Sequence, residues 1–463
     1  MTITGNNVHD NILGAIGDTP LVRLNSVIDD LPCTMYAKVE FFNPGGSVKD
    51  RIGPGIIEEA ERSGRLKPGG TIVESTSGNT GVGLAITATI KGYKTIFVMP
   101  DKMSQEKIEL LRSFGAEVVV TPTAVEPDDP RSYYKVAARL VEETPNAILA
   151  NQYHNPMNPQ AHYVGTGPEL YAQIGDKMTH FIAGMGTGGT ISGTGRYLKE
   201  QNPTIQIVGV DPIGSILYEL HRTGEYTDAE SYVVEGIGED FLPTTMNLDI
   251  VDTVVQVNDK ECFIMTRRLV REEGLFVGGS CGAAMAGAVK YAREHNLGAD
   301  DIVVVVLPDS GSRYLSKIFN DNWMRDNGYL ERVHRASDVN AAKEQAELIS
   351  VTPEAVMENV VALLKEHNIS QVPVITESGK LQGMVTEVAL LNHLLLGDHK
   401  HEPGETIASI MDTDPFVVRP NMPLDALLKS FSEHDAAILM NGNERPLGIL
   451  TKIDILDFLS KQS

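Results

Sequence analysis

The 463-residue sequence predicts an α/β protein in two parts. Up to about residue 320, short apolar runs rich in β-branched residues alternate with helical patterns; the runs are TIVE, TIFVMP, AEVVVT, HFIAGM, IQIVGV and DIVVVVLP. This alternation is typical of a parallel sheet that helices cover on both faces. Beyond about residue 345 the pattern changes to two similar segments. We therefore expect a large parallel-sheet domain followed by a smaller repeated module.

The second part is an internal repeat. Residues 350–396 align with residues 417–460, and "GMVTEVALLNHL" in the first copy matches "GILTKIDILDFL" in the second. Each copy is predicted to be a β-α-β unit that needs its twin to bury one face. Between the two parts, polarity rises and strand signals vanish. The predicted divisions are a first domain at 1–325, a linker at 326–345 and a module at 346–463, whose repeats are 346–398 and 405–463.

Charge and cysteine content narrow the function classes. The formal net charge of −23 opposes binding to nucleic acid or to an anionic membrane, so neither is an expected partner. Cys33, Cys262 and Cys281 are far apart, which predicts no metal site and suits a reducing cytoplasm. The first residues show no signal-peptide pattern. The longest strongly apolar β-like run, residues 302–307, predicts a buried strand.

Lys49 lies where helix electrostatics disfavour a lysine. Residues 43–46 (NPGG) predict a loop, and Ser47 is predicted to cap a helix with Asp50 three residues later. A cation in the first turn costs roughly 0.3–1 kcal/mol. Either Lys49 extends into solvent, or it is a desolvated lysine that acts as a nucleophile or condenses with an aldehyde. Pro54 should kink this helix unless the helix is short.

The segment ESTSGNTGVGLA at 74–85 predicts a strand, a polar turn and a helix. Hydroxyls, an amide and free N–H groups at a helix start favour a carboxylate or phosphate ligand. Capping alone explains one such side chain, since Ser, Thr and Asn are favoured caps. Four candidates within five residues exceed that need, and they are Thr76, Ser77, Asn79 and Thr80.

A glycine-rich loop at 184–190 is the strongest phosphate signal. Its backbone N–H groups can approach an anion directly before a predicted helix, through Gly186, Thr187, Gly188, Gly189 and Thr190. The same loop satisfies G-x-G-x-x-G, and Asp211 follows at about the spacing of a dinucleotide-binding fingerprint. This loop alone leaves phosphate and NAD as alternatives.

Three further loops follow predicted strands, where ligands bind in open α/β sheets. The first, at 274–288, predicts a helix that starts at Ser280, whose hydroxyl either caps the helix or binds a heteroaromatic nitrogen. The other two lie at 235–241 and 151–163, and the second offers Gln152 and Tyr153 as contact residues. A reactive lysine, a phosphate loop, an amide-bearing loop and this serine together match pyridoxal 5′-phosphate. NAD explains only the glycine loop.

Six motifs then identify a family. The sequences GDTPLVRLN, NPGGSVKDR, STSGNTGVGLA, GMGTGGTISGTGRYLK, VEGIGEDF and GGSCG resemble the β-replacement family of fold-type II pyridoxal-phosphate enzymes, and within it the bacterial cystathionine β-synthase group. The motifs occur in the family's order over most of residues 10–325. The resemblance implies a tryptophan synthase β-like fold of parallel sheets and helices. The C-terminal repeat resembles a tandem pair of CBS domains, also called a Bateman module.

The resemblance implies a role for each matching position. Lys49 carries the Schiff base and acts as general acid and base, Asn79 bonds the ring hydroxyl, residues 186–190 bind the phosphate, and Ser280 meets the pyridine nitrogen. Because a neutral hydroxyl does not keep that nitrogen protonated, loss of the β-substituent is favoured over transamination. The substrate carboxylate is held by Thr76, Ser77, Thr80 and Gln152, and Tyr153, Gly236 and Glu239 complete the substrate set.

The implied reaction condenses L-serine with L-homocysteine, through an aminoacrylate, to cystathionine and water, with side reactions that form hydrogen sulfide. The nearest alternative is a cysteine synthase that uses O-acetylserine or O-phosphoserine with sulfide. No N-terminal Cys and His extension is seen, so no haem is expected. Glu239 stands where animal members have a tyrosine (EGIGYDF), which leaves the handling of the thiol substrate open. A homodimer or homotetramer is expected.

The CBS-domain resemblance implies an adenosine ligand. In such domains a Thr or Ser three residues before an Asp binds ribose, and the second copy has Thr451 and Asp454. The first copy has Thr386 and Ala389 and lacks the acid. S-adenosylmethionine is the first expected ligand and an adenine nucleotide the second, with apolar walls from Ile369, Val372 and Val374. The alternative is a module that only stabilises a dimer.

Overall fold

The structure is a computed structural model that describes residues 8–76, 78–101, 103, 105–122, 125, 129–331, 334–343, 348–396, 404–442 and 445–461. The chain divides into two compact units, the first ending at Leu330 and the second starting at Glu331. No helix among the described residues is long and apolar enough to cross a membrane.

The first unit contains two sheets. Its strands are β1 Leu21–Arg23, β2 Thr34–Val39, β3 Thr71–Ser75, β4 Lys94–Pro100, β5 Glu117–Thr121, β6 Ala147–Leu149, β7 His180–Gly184, β8 Gln206–Pro212, β9 Thr253–Val257 and β10 Ile302–Leu307. The larger sheet has the order β1-β2-β10-β7-β8-β9 and is parallel except for β1. The smaller sheet, β5-β4-β3-β6, is entirely parallel. The α/β prediction is confirmed.

Helices lie between these strands. They are α1 Ile52–Arg62, α2 Asn79–Lys91, α3 Gln105–Ser113, α4 Tyr133–Glu143, α5 Met157–Val164, α6 Thr166–Ile174, α7 Gly189–Gln201, α8 Leu217–Thr223, α9 Asp259–Glu273, α10 Gly279–Glu294 and α11 Asp321–Asp326. Short 3₁₀ helices occur at Ile12–Ala15, Glu40–Phe42, Val48–Arg51, Gly175–Lys177, Leu248–Ile250 and Gly311–Arg313. Parallel strands such as β10 are buried almost throughout, which explains their continuous apolar runs.

Two helix starts differ in detail from the prediction. Ser47 caps the 3₁₀ turn Val48–Arg51, and α1 begins only at Ile52. Pro54 is therefore in the first turn of α1, where its missing N–H breaks no intrahelical hydrogen bond, so the conditional kink does not arise. Ser280 is the second residue of α10 and not its cap, because the extended Gly278 takes the cap position.

The second unit contains the repeat. Its elements are the helices α12 Ala336–Ala341, α13 Met357–Glu366, α14 Glu387–Leu396, α15 Leu424–Ser430 and α16 Lys452–Ser460, the 3₁₀ helix Ile407–Ser409, and the strands β11 Gln371–Ile375, β12 Leu381–Thr386, β13 Val417–Val418, β14 Ala436–Met440 and β15 Pro446–Thr451. Equivalent antiparallel pairs β11–β12 and β14–β15 form in the two copies. Within the predicted linker, α12 buries Ala336 and Val339 in the core of the second copy, so this part belongs to the module.

Candidate active site

Lys49 and the glycine loop line one cavity in the first unit. The cavity lies at the carboxyl ends of β7 and β10 and also includes Ile237 and Pro308. Chain topology explains this meeting, because neighbouring parallel strands end at the same edge of the sheet. Of the predicted site residues, the cavity is lined by Lys49, Gly186, Thr187, Gly188, Thr190 and Gly236.

Lys49 is partly buried, and its amine forms no ion pair with any of the described residues. Burial lowers its pKa, and the carboxyl groups of Glu239 and Asp309 act in the opposite direction. Within the described part of the chain, Nζ of Lys49 has no hydrogen-bond partner. A lysine with a lowered pKa has more of the neutral amine that attacks an aldehyde. The cavity therefore suits the nucleophilic alternative and not the solvated one.

The glycine loop borders the cavity and packs closely against the backbone of Gly236. A Cβ atom at Gly186 would lie 2.9 Å from the carbonyl oxygen of Gly236. Gly188 has a φ of +84°, which disfavours residues with side chains, and α7 starts immediately after it. The N–H groups that a helix start leaves without an intrahelical partner are suited to an anion.

The two threonines of the loop are held by side chains from α5. Thr187 Oγ1 accepts a hydrogen bond from Nδ2 of Asn158 at 3.0 Å, and Thr190 Oγ1 is 3.2 Å from Nε2 of His162. Nδ1 of His162 is 2.9 Å from Oγ1 of Thr166. Burial, together with the cations of Arg51 and Lys49, keeps the pKa of His162 well below its usual value. Asn158 and His162 were not predicted, although both lie within residues 151–163, one of the predicted ligand-binding loops.

Asn79 starts α2 and points its amide at a buried acid. Its Nδ2 donates to Oδ2 of Asp309 at 3.0 Å, and the same oxygen accepts from the Tyr314 hydroxyl at 2.8 Å. Asp309 was not predicted; its position directly after a strand end was the available signal. Ser280 is buried. The next residue, Cys281, connects this segment to Asp309, because its Sγ lies 3.3 Å from the Asp309 carbonyl oxygen.

The expected carboxylate-binding residues form two contact sets, and Ser77 lies outside the described residues. Thr76 Oγ1 accepts from the backbone N–H groups of Gly78 and Gly81 at 3.0 and 3.3 Å. Thr80 Oγ1 donates to Oε1 of Gln152 at 2.5 Å. Thr80 and Gln152 are thus brought together across 72 residues of chain.

The backbone of Gln152 is held by a second unpredicted acid, Glu74. Its carboxyl group accepts the N–H groups of Asn151 and Gln152 at 2.6 and 3.2 Å. Glu74 is only 2% exposed, and burial raises its pKa to about 8. An acid within the apolar strand TIVES was the signal for this position.

Tyr153 and Glu239 do not line the cavity, but Glu239 is close enough to interact electrostatically with both Lys49 and Tyr153. The Tyr153 ring packs against Phe241 with centroids 5.3 Å apart. Burial and the charge of Asp240 raise the pKa of Glu239 to about 8, while the Lys49 ammonium lowers it. Glu239 is consequently a protonated acid near neutral pH.

A separate cleft of about 390 Å³ lies in the second unit and contains Thr451, Asp454 and Ile369. Oδ2 of Asp454 accepts from the Thr451 N–H and hydroxyl at 2.8 and 2.7 Å, and Nζ of Lys343 is 3.0 Å from its other oxygen. The predicted walls Val372 and Val374 are not in this cleft. Both are fully buried on one face of β11 in the core of the first copy, so this part of the prediction is corrected.

Comparisons with known proteins agree with this arrangement. Residues 12–309 match the pyridoxal-phosphate dependent enzyme family, and residues 338–396 and 407–461 match the CBS domain. The chain is similar to cystathionine beta-synthase of Dictyostelium discoideum, with 42% identity over 98% of this chain and 93% of the relative. It is similar to the Saccharomyces cerevisiae cystathionine beta-synthase at 39%, over 97% and 98% of the two chains.

Other relatives cover about two thirds of the chain. A cysteine synthase of Staphylococcus aureus is 45% identical over 66% of this chain and 96% of its own. The solved structure of an O-acetylserine dependent cystathionine beta-synthase from Helicobacter pylori has a TM-score of 0.61 and 40% identity, covering 67% of this chain and 98% of that one. With a matching catalytic unit followed by matching CBS domains, the chain belongs to the pyridoxal-phosphate dependent enzyme family, among its cystathionine β-synthase-like members.

Proposed function

We propose that this enzyme condenses L-serine with L-homocysteine to give cystathionine and water. The observation that carries the proposal is the extent of similarity: the relatives named cystathionine beta-synthase match across both units, including the CBS pair. The matching cysteine synthase covers only 66% of the chain. A hydrogen sulfide-forming side reaction is part of this proposal. When L-cysteine takes the place of L-serine, the β-substituent that leaves is hydrosulfide instead of hydroxide, and L-homocysteine again adds to give cystathionine.

The site residues fit pyridoxal 5′-phosphate. The loop packs against the backbone of Gly236 with no room for a side chain at Gly186, and the cavity beside it is lined by Gly186, Thr187, Gly188 and Thr190, which together with Gly189 would bind the phosphate. Lys49 would hold the aldehyde, Asn79 the ring hydroxyl and Ser280 the ring nitrogen. When bound, the cofactor supplies the electron sink that makes loss of the β-substituent feasible.

The chain's own groups supply proton transfer and orientation. Lys49, with its pKa lowered by burial, can accept the α-proton and return a proton to the leaving hydroxide of L-serine. Thr76, Ser77, Thr80 and Gln152 would bind the substrate carboxylate, and Glu74 holds Gln152 in place.

Tyr153, Gly236 and Glu239 would border the place of the second substrate. With a pKa near 8, Glu239 adds little negative charge near neutral pH. An uncharged neighbour repels an incoming thiolate less than a carboxylate does. This property favours a thiol substrate in spite of the acidic residue at this position.

Product analysis on the full-length protein tests the proposal. The cofactor-loaded enzyme is incubated with L-serine and L-homocysteine, or with O-acetylserine and sulfide, and cystathionine and cysteine are measured by mass spectrometry. Cystathionine formed from L-serine is the expected result. The name of the Helicobacter pylori neighbour favours a second candidate, use of O-acetylserine, and turnover of that substrate alone would move the function there.

We also propose that the cleft in the second unit binds an adenosyl ligand, S-adenosylmethionine first and an adenine nucleotide second. Thr451 and Asp454 would bind the ribose, and Ile369 would contact the base. Calorimetry of the full chain with S-adenosylmethionine and with AMP tests this, and absence of heat with both would contradict it. We propose further that the protein is a homodimer or homotetramer, and light scattering can measure its mass in solution. We also propose a cytoplasmic location, because the three buried free cysteines suit a reducing compartment.

A further inference from the structure

Asp309 lies where the segments that carry Lys49 and Ser280 meet. Its backbone forms an isolated antiparallel bridge with Ser47, and the N–H of Val48 donates to the carbonyl of Pro308 at 2.8 Å. On its other side, the N–H of Gly278 donates to the Asp309 carbonyl at 3.1 Å. The backbone at Asp309 therefore ties the turn of Lys49 to the start of α10.

The Asp309 side chain reaches the third segment, which carries Asn79. Asp309 is 1% exposed, and its Oδ2 accepts both the Asn79 amide N–H and the Tyr314 hydroxyl. The Asn79 Nδ2 atom has two hydrogens, and this contact uses one of them. The other hydrogen remains for a ligand in the site.

We infer that Asp309 is a positioning residue that fixes the Asn79 amide with its N–H side toward the cofactor, which rests on the proposed cofactor site. An asparagine amide can rotate by 180° and present oxygen in place of nitrogen. Because Oδ2 of Asp309 accepts the hydrogens of both Tyr314 and Asn79, it selects the amide orientation in which Nδ2 faces it. In the rotated form the amide oxygen would face the Asp309 carboxylate, and its repulsion disfavours that state.

Tyr314 completes this arrangement because its hydroxyl donates to the same carboxylate oxygen of Asp309 as the Asn79 amide. Tyr314 lies five residues after Asp309 in the sequence, so both side chains belong to the segment that follows β10. The order of action is therefore Tyr314 on Asp309, Asp309 on Asn79, and Asn79 on the ring hydroxyl. Only the last of these touches the cofactor.

The test is a double-mutant cycle on cofactor affinity in the full-length protein. Cofactor-free wild type, Asp309→Ala, Asn79→Ala and the double variant are titrated with pyridoxal 5′-phosphate, and the visible absorbance band reports binding without turnover. We expect Asp309→Ala to weaken binding about tenfold in the wild-type background and less than about twofold beside Asn79→Ala. Asp309→Asn keeps one acceptor oxygen and should give an intermediate value, and it carries the test if the alanine variant does not fold.

Asp211→Asn is the matched control, because Asp211 is also fully buried at the carboxyl end of a strand of the same sheet. It should leave cofactor affinity unchanged. Equal affinity of wild type and both Asp309 variants would overturn the inference, as would the same loss in both Asn79 backgrounds, which would indicate packing alone. Failure of the wild type to form a lysine-dependent visible band would instead overturn the cofactor site itself.

Discussion

The two ligand sites of this chain treat their charged groups in opposite ways. In the first unit, the partly buried Lys49 has no hydrogen-bond partner for its amine among the described residues, and Glu239 has a pKa raised to about 8. In the second unit, Asp454 is already paired with Lys343 and bonded to Thr451. The first site thus contains ionisable groups with shifted pKa values, whereas the carboxylate of the second site already has an ion-pair partner and hydrogen-bond donors.

This difference has a physical consequence for binding. A lysine with a lowered pKa has more of the neutral amine, which can condense with an aldehyde without first losing a proton. A satisfied acid must share or exchange its partners before it can bind a ribose hydroxyl, which costs part of the binding free energy. We therefore expect large effects from substitutions at the first site and smaller ones at the second.

Lys49→Ala is expected to have the largest effect. Loss of both the aldehyde-binding amine and the proton-transfer group should lower turnover by at least about 10³-fold and abolish the visible band. Turnover is measured as cystathionine formation, and Lys94→Ala, an exposed lysine at the start of β4, is the control. A Lys49→Ala protein that kept a tenth of the wild-type rate would contradict the assignment.

Glu74→Gln tests the buried acid behind Gln152. Since the pKa of Glu74 is raised to about 8, the folded protein holds a proton there that the unfolded chain has lost above about pH 4.5. Stability from this group is therefore full below pH 4.5 and is lost as pH rises toward 8, by at most about 1.4 kcal/mol per pH unit. Glu74→Gln should remove that slope.

Urea unfolding between pH 5 and 8 measures this slope through the fluorescence of Trp323, the single tryptophan. Glu273→Gln is the matched control, because Glu273 likewise accepts backbone N–H groups, those of Asn25 and Ser26, but at the surface. An unchanged pH slope in Glu74→Gln would show that Glu74 is ionised in the folded protein.

Asp454→Ala should weaken binding of the adenosyl ligand about tenfold or more, because a charged acceptor for ribose is lost. Calorimetry on the full chain measures the change. Asp435→Ala, which removes an exposed acid of the same copy, should leave binding unaltered. If Asp454→Ala bound the ligand as tightly as wild type, the ribose assignment would be wrong.

The sequence predicts some residues of the first site and not others, and the difference lies in how far apart the contacting residues are in the chain. Lys49 and the glycine loop follow from local patterns, namely a lysine in a helix start and glycines before a helix. Asp309 contacts Asn79 across 230 residues, and Glu74 contacts Gln152 across 78, so neither pairing has a local signal.

The adenine walls illustrate a different limit. Alternate apolar residues on a strand indicate that one face is buried, but not whether core or ligand covers it. Val372 and Val374 face the core of the first copy, and Ile369, just before β11, lies in the cleft instead. The predicted start of α10 at Ser280 is one residue late. Gly278 and Gly279 both precede Ser280 and either can begin a helix, so the local sequence does not fix the first residue.

Lys343→Ala should have the smallest effect, and its sign distinguishes the two views of the second site. If the Lys343–Asp454 pair competes with the ligand, its removal frees an acceptor oxygen and should tighten ligand binding about threefold, the scale of a partly exposed ion pair. Lys452→Ala, which breaks an exposed pair with Asp435, is the control and should change nothing. Weaker binding in Lys343→Ala would show that the lysine itself contacts the ligand, so that the pair is part of the binding surface and not a competitor for it.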